Sequence, residues 1–184
     1  MIKAVFALGV PSDFHLNGMF AFGKDNDLPW EKIPKDFTLF REKTMGCICV
    51  MGAKTFQSLP FNLPGRVMVV IGDINRSCRN KSGELPALHV NINDHDWMST
   101  VESLYPDQDI AIIGGLGMII NNLHLCDEIH INFLMLTAEY DTINPSIYIS
   151  EKSLNRYLGG KQLNSNRYSV DLPHCRSIRE GVWK

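Results

Sequence analysis

Apolar residues fall in short runs separated by polar, glycine- and proline-rich breaks. The run from Ile2 to Val10 is nearly continuous and reads as a buried strand. Cys47–Met51, Val67–Ile71 and Asp109–Ile113 read the same way. Two of these runs lead through glycine into a helical pattern: Gly52 precedes Ala53–Leu59, and Gly114-Gly115 precedes Leu116–Leu123. Another helix is expected to open at Pro34, because proline suits the first helical position and Asp36 favours the positive helix end. Phe37, Phe40 and Arg41 follow at helical spacing, and Gly46 stops the run. Residues 11–33 read as a long loop broken by Pro11, Asn17, Gly18, Gly23, Asn26 and Pro29. Its apolar members, Phe14, Met19, Phe20, Phe22, Leu28 and Trp30, argue for an ordered functional loop. Residues 74–87 read as surface loop, Leu88–Ile92 as a short strand, Asp94–Leu104 as a helix and Glu128–Met135 as a strand. The tail from Arg167 to Trp183 suggests one or two strands parted at Pro173.

Strands alternating with helices over residues 1–123 imply an α/β fold. The expected architecture is a mostly parallel central sheet with helices on both faces and an antiparallel C-terminal edge. In such sheets ligands sit beyond the carboxyl ends of the strands. Gly52-Ala53-Lys54-Thr55, Gly72-Asp73 and Gly114-Gly115 meet there, which argues for a phosphate-bearing cofactor.

Composition narrows the function. The chain has 184 residues, and 1–184 is read as one domain. Lys plus Arg number 18 against 20 for Asp plus Glu, a net charge of -2, which removes the electrostatic case for nucleic acid or an acidic membrane as partner. No stretch approaches the roughly 20 apolar residues of a membrane span. Cys47, Cys49, Cys78, Cys126 and Cys175 are odd in number, scattered and without a CxxC pair, so free thiols in a reducing cytoplasm are expected. The histidines lack zinc-binding spacing, and no metal is expected.

Three side chains stand out. Asp36, beside Phe37 and Phe40, reads either as a carboxyl whose pKa burial raises or as a surface charge on a helix dipole. Thr55 and Lys54 read as phosphate ligands or as a helix cap and a solvated cation. Arg66 ends a Pro-Gly turn and either grips a carboxylate or is solvated.

Taken together, these segments resemble dihydrofolate reductase over residues 1–150, and more loosely to the end. The resemblance rests on Phe22-Gly23 to Leu28-Pro29-Trp30, Ile33-Pro34-Lys35-Asp36-Phe37 to Phe40-Arg41, Val50 to Phe56, Leu63-Pro64-Gly65-Arg66, Ile112-Ile113-Gly114-Gly115 and Glu139-Tyr140-Asp141-Thr142. The run Met51–Pro60 looks most like bacteriophage members. The resemblance implies reduction of 7,8-dihydrofolate to tetrahydrofolate by hydride from NADPH, in the cytoplasm (the host's, if phage-encoded), by a monomer or homodimer. It implies that Asp36 anchors the pterin and promotes protonation at N5, with Trp30 and Leu28 in catalytic support. Val5, Phe37, Phe40, Arg41, Leu59, Leu63, Ile113 and Asn132 would contact substrate, and Arg66 would bind its glutamate α-carboxylate.

Residues 22–30 would close over the nicotinamide. The cofactor would be held by Ala7, Phe22, Gly23, Gly52, Ala53, Lys54, Thr55, Ile71, Gly72, Asp73, Arg76, Thr142 and the segment Gly114, Gly115, Leu116, Gly117, Met118, Ile119, with a cis peptide at Gly114–Gly115. Three departures from the family pattern stand out. Ala53 replaces an arginine that reads the 2′-phosphate, with Lys54 and Arg76 as substitutes; Ile119 replaces a tyrosine; and Asn132 replaces a threonine behind the aspartate. The alternatives are another pterin or pyrimidine reductase of the same fold, such as the riboflavin-pathway reductase, against which the Asp36 and Arg66 pair argues, and a folate-binding or particle-associated structural protein with reduced catalysis.

Overall fold

The first strand, β1 (Ile2–Val10), contributes to both of the compact units into which the chain divides. The computed structural model describes residues 1–25, 27–138 and 145–184.

The first unit comprises residues 1–4 and 43–127. It holds β3 (Ile48–Gly52), α3 (Ala53–Ser58), β4 (Val67–Gly72), β5 (Leu88–Asn91), α4 (Trp97–Leu104), β6 (Ile110–Gly114) and α5 (Leu116–Asn122). Its strands run parallel in the order β5-β4-β3-β6-β1. Ile48, Cys49, Val50 and Met51 are all buried. That explains the unbroken apolar runs in the sequence, since a parallel strand covered on both faces has no solvent side.

The second unit comprises residues 5–42 and 128–184. After β1 come α1 (Phe14–Asn17), β2 (Met19–Gly23), α2 (Pro34–Thr44), β7 (Glu128–Leu136), β8 (Ile147–Ser150), α6 (Glu151–Leu158), β9 (Leu163–Leu172) and β10 (Cys175–Trp183). Here the pairing is antiparallel: β10 lies between β7 and β9, and β2 pairs with both β1 and β8. The fold is therefore a mixed α/β sheet with a parallel part and an antiparallel C-terminal part, as the order of elements implies. Among the described residues, no helix is long and apolar enough to cross a membrane.

Three expectations need correction. Residues 11–33 are not all loop: they hold α1 and β2, the strand that carries Phe22 and Gly23 and pairs with nearby β1 and with β8, over a hundred residues away. β8 and α6 have no counterpart in the sequence reading, although Ser150 caps α6 by accepting from the Ser153 backbone N–H at 3.1 Å. The helix expected from Asp94 begins at Trp97.

Candidate active site

Pro34 opens α2, and the Phe37 N–H donates to the Ile33 carbonyl at 3.3 Å. This sets the first turn so that Asp36 points inward, where it is only 6% exposed. The buried residues of α2 are Asp36, Leu39 and, at its end, Thr44, and the preceding Ile33 is buried as well. Phe37, next to Asp36 in sequence, is 43% exposed, with the Lys32 ammonium 5.7 Å from its ring centroid. Trp30, Ile33 and Leu39, which flank Asp36 in sequence, join Leu134, Leu136 and Ile178 from the other end of the chain in one buried cluster. Ala7 packs against it, and a Cβ on Gly9 would stand 3.1 Å from the Trp30 ring and 2.7 Å from Leu136 Cδ1. The strand β1 therefore passes close against Trp30 only because residue 9 is glycine.

Asn132 Nδ2 donates to Asp36 Oδ1 at 2.7 Å. Opposite Asn132 in register stands Glu180, 3% exposed, whose Oε2 accepts from Tyr168 OH at 3.1 Å and Asn166 Nδ2 at 3.3 Å. Sequence reasoning missed Glu180. Its signal was its phase, because strand alternation sets it on the same face as core Ile178. Val5 is buried, Phe40 half-buried, and Leu28 and Arg41 exposed.

The first unit carries the second group of residues. The ends of β3 and β6 converge, with Met51 opposite Gly114. The Gly114–Gly115 peptide is cis, as the resemblance implies. A Cβ on Gly114 would stand 2.8 Å from Thr55 Cγ2 and 3.0 Å from Thr55 Oγ1, and one on Gly115 would stand 3.3 Å from that hydroxyl. Gly52 heads α3, and Gly117, on α5, has open space where a Cβ would be. Leu116, Met118 and Ile113 are half-buried beside them. Ile119 and Ile71 are different. Ile119 is wholly enclosed and Ile71 nearly so, which places their side chains in the core rather than on a cofactor-facing surface. At the end of β4, Gly72 is pressed between Ala53 Cβ and His89 Nε2. Lys54 is exposed, and Arg76, 86% exposed, pairs with Asp73 at 3.3 Å. Arg66 is held in place: its Nη1 donates to Thr44 Oγ1 at 3.1 Å and its Nε to the Pro64 carbonyl at 3.3 Å. Leu59 and Leu63 are half-buried. Thr142 lies outside the described residues.

The sequence profile of the dihydrofolate reductase family matches residues 16–175. The chain belongs to the dihydrofolate reductase family. It is 33% identical over 129 residues to dihydrofolate reductase type 8 of Escherichia coli, covering 65% of this chain and 70% of that protein. It is 28% identical over 146 residues to the dihydrofolate reductase of Haemophilus influenzae, covering 79% of this chain and 84% of the other. A solved dihydrofolate reductase from Enterococcus faecalis, complexed with NADP(H) and a second ligand, shares the fold. Its TM-score is 0.72 at 19% identity, over 100% of this chain and 95% of the other.

As a dihydrofolate reductase, the chain is an oxidoreductase that reduces dihydrofolate with NADPH. The electrostatics of Asp36 suit that chemistry. Burial raises its carboxyl from 3.8 to about 6, with the Asn132 hydrogen bond pulling it partly back. A carboxyl that titrates near neutral pH holds and releases protons under working conditions. Burial also raises the Cys175 thiol, and the Asp36 charge adds to that rise.

Proposed function

We propose that Asp36 is the acidic group of the reductase reaction, anchoring the pterin of dihydrofolate and favouring a proton at its N5. The observation that carries this is a buried carboxyl at about pKa 6, held by one identified donor at the first turn of α2. Trp30 and Leu28 support it from the preceding segment, and Asn132 takes the place of the family's threonine. Val5, Phe37, Phe40, Arg41, Leu59, Leu63 and Ile113 are the proposed substrate contacts. Residues 1–184 act as one domain, in a cytoplasm reducing enough to suit five free, buried cysteines.

The glycines at the ends of β3 and β6 fit a dinucleotide. Side-chain-free backbone permits close approach, and the first-turn N–H groups of a helix lack acceptors of their own. Gly52, Thr55, Gly114, Gly115, Leu116, Gly117 and Met118 would hold NADPH, with Ala7, Phe22 and Gly23 toward the nicotinamide. When bound, the cofactor supplies the hydride. The chain's own residues orient it and keep water out.

A spectrophotometric assay of NADPH consumption with and without dihydrofolate tests the reading. Folate binding without any NADPH oxidation would favour a non-catalytic folate binder. Arg66, pinned by Thr44 and Pro64, is preorganised for the glutamate carboxylate. Arg66→Ala is therefore expected to raise the KM for dihydrofolate about tenfold or more, with a smaller effect on that for NADPH. Equal effects on both would contradict the contact. At the 2′-phosphate end, Lys54 is an exposed cation and Arg76 is partly neutralised by Asp73. NADPH is accordingly expected to be preferred over NADH, and Lys54→Gln to reduce the ratio of their kcat/KM values about threefold to tenfold. An unchanged ratio would remove Lys54 from the cofactor contacts.

A further inference from the structure

A crevice lies wholly within the second unit, on the sheet face away from Asp36. Strand alternation decides the side. On β7, Asn132 reaches Asp36 while Leu134 and Leu136 join the cluster around Trp30, so Phe133 and Met135 project to the other face. On β10, Ile178 belongs to that cluster, and its neighbour Arg179 stands opposite Phe133 in register. On β1, Gly9 backs onto Trp30 and Val10 turns away. α6 crosses this far side and presents Glu151, Leu154, Asn155 and Leu158, the spacing of a single helix face.

The cavity between these elements measures about 250 Å³. Four aromatic rings wall it in sequence. Phe14 stacks on Phe20 at 4.4 Å, Phe20 meets Phe133 at 5.3 Å, and Phe133 meets Trp183 edge-on at 6.1 Å. The exposed Arg179 guanidinium lies 5.7 Å over the Phe133 ring, and among the described residues it makes no ion pair. Glu151 stands on the same rim. Phe20, Phe133 and Trp183 are only 6%, 8% and 7% exposed, so the crevice offers a narrow apolar slot lined by largely buried rings. Such a slot beside a guanidinium without an ion pair among the described residues matches a planar apolar ligand with one negative end. The volume falls below the roughly 300–1,000 Å³ of drug-sized sites, which limits the ligand to about two fused rings.

We propose that this crevice binds a small aromatic carboxylate, its ring against Phe20, Phe133 and Trp183 and its anionic group on Arg179. The site is separate from the reductase chemistry and stands whether or not the roles proposed for Asp36 hold.

The test titrates 2-naphthoate into the full chain by calorimetry, with NADP⁺ and folate filling the catalytic site. Saturable one-to-one binding is expected to persist under those conditions. Arg179→Gln should weaken it about tenfold, and Glu151→Gln, which removes a repelling charge, should tighten it. Asn155→Trp, a bulky replacement at an exposed crevice position, should block it. Dihydrofolate reduction by all three variants without naphthoate should match the parent, which verifies their folding. Displacement of the probe by folate and NADP⁺, affinity indifferent to both charge changes, or no saturable binding would each overturn the proposal.

Discussion

Asp36→Asn is expected to lose dihydrofolate reduction by roughly a hundredfold or more at neutral pH, and to gain stability at the same pH. Both effects come from one carboxyl. Its folded-state pKa of about 6 lies above the ordinary 3.8, so the folded protein binds the proton more tightly than the unfolded chain. The stability this supplies is fully present below about 3.8 and is lost as pH rises through about 6. Above that, the folded state carries a buried carboxylate at a cost of about 3 kcal/mol. Asparagine has nearly the same size and no charge at any pH, and the Asn132 amide can still bond to it.

The variant is expected to melt on the order of 5 °C higher than the parent at pH 8 and at nearly the same temperature at pH 4. The parent enzyme's hydride-transfer rate should decline as pH rises above about 6, because protonation of the pterin is favoured while Asp36 can hold a proton. The variant's deficit should shrink in acid, where solvent supplies the proton. Thermal melts at the two pH values, together with single-turnover rates across pH, check all of this. A variant destabilised at pH 8, or a rate deficit that does not vary with pH, would sink the assignment.

Gly114→Ala carries the other large effect. The new methyl would stand 2.8 Å from Thr55 Cγ2 and 3.0 Å from its hydroxyl, closer than side chains tolerate. Either the β6 end or the first turn of α3 must shift, and both bear proposed cofactor contacts. A loss of roughly 1–3 kcal/mol in stability is expected, with NADPH affinity falling about tenfold or more. Thr55→Ala removes both offending atoms and leaves only Cβ, at 3.4 Å. In the double variant the stability loss should therefore be smaller than the sum of the two single losses, by about 1 kcal/mol. Urea midpoints of the four proteins give the coupling. Strict additivity would show that Thr55 is not what excludes a side chain at residue 114.

The parts legible from the chain alone share one property: their causes are local. Unbroken apolar runs marked β3, β4 and β6 because parallel strands have no solvent face. Pro34 marked the start of α2, and glycines marked the turns into α3 and α5. The joint order of Asp36, Gly52-Ala53-Lys54-Thr55, Arg66 and Gly114-Gly115 also pointed to the family, since several modest motifs at fixed spacing seldom coincide.

What the tertiary structure decided depends on partners remote in sequence. Met19–Gly23 looks like loop until Ile147–Ser150 pairs with it. Leu134, Leu136 and Ile178 arrive from the other end of the chain to join Trp30, Ile33 and Leu39 in one buried cluster, while Phe37, next to Asp36 in sequence, stays exposed. Whether Asp36 was a surface charge or a buried acid could not be read from helix spacing, because desolvation is set by everything packed around a group rather than by its neighbours in sequence. The same holds for Arg66, which Thr44 and the Pro64 carbonyl pin in place, and for Glu180, buried opposite Asn132. Local pattern determined which residues were available to the site. Burial, which only the assembled chain produces, determined the protonation and orientation they have there.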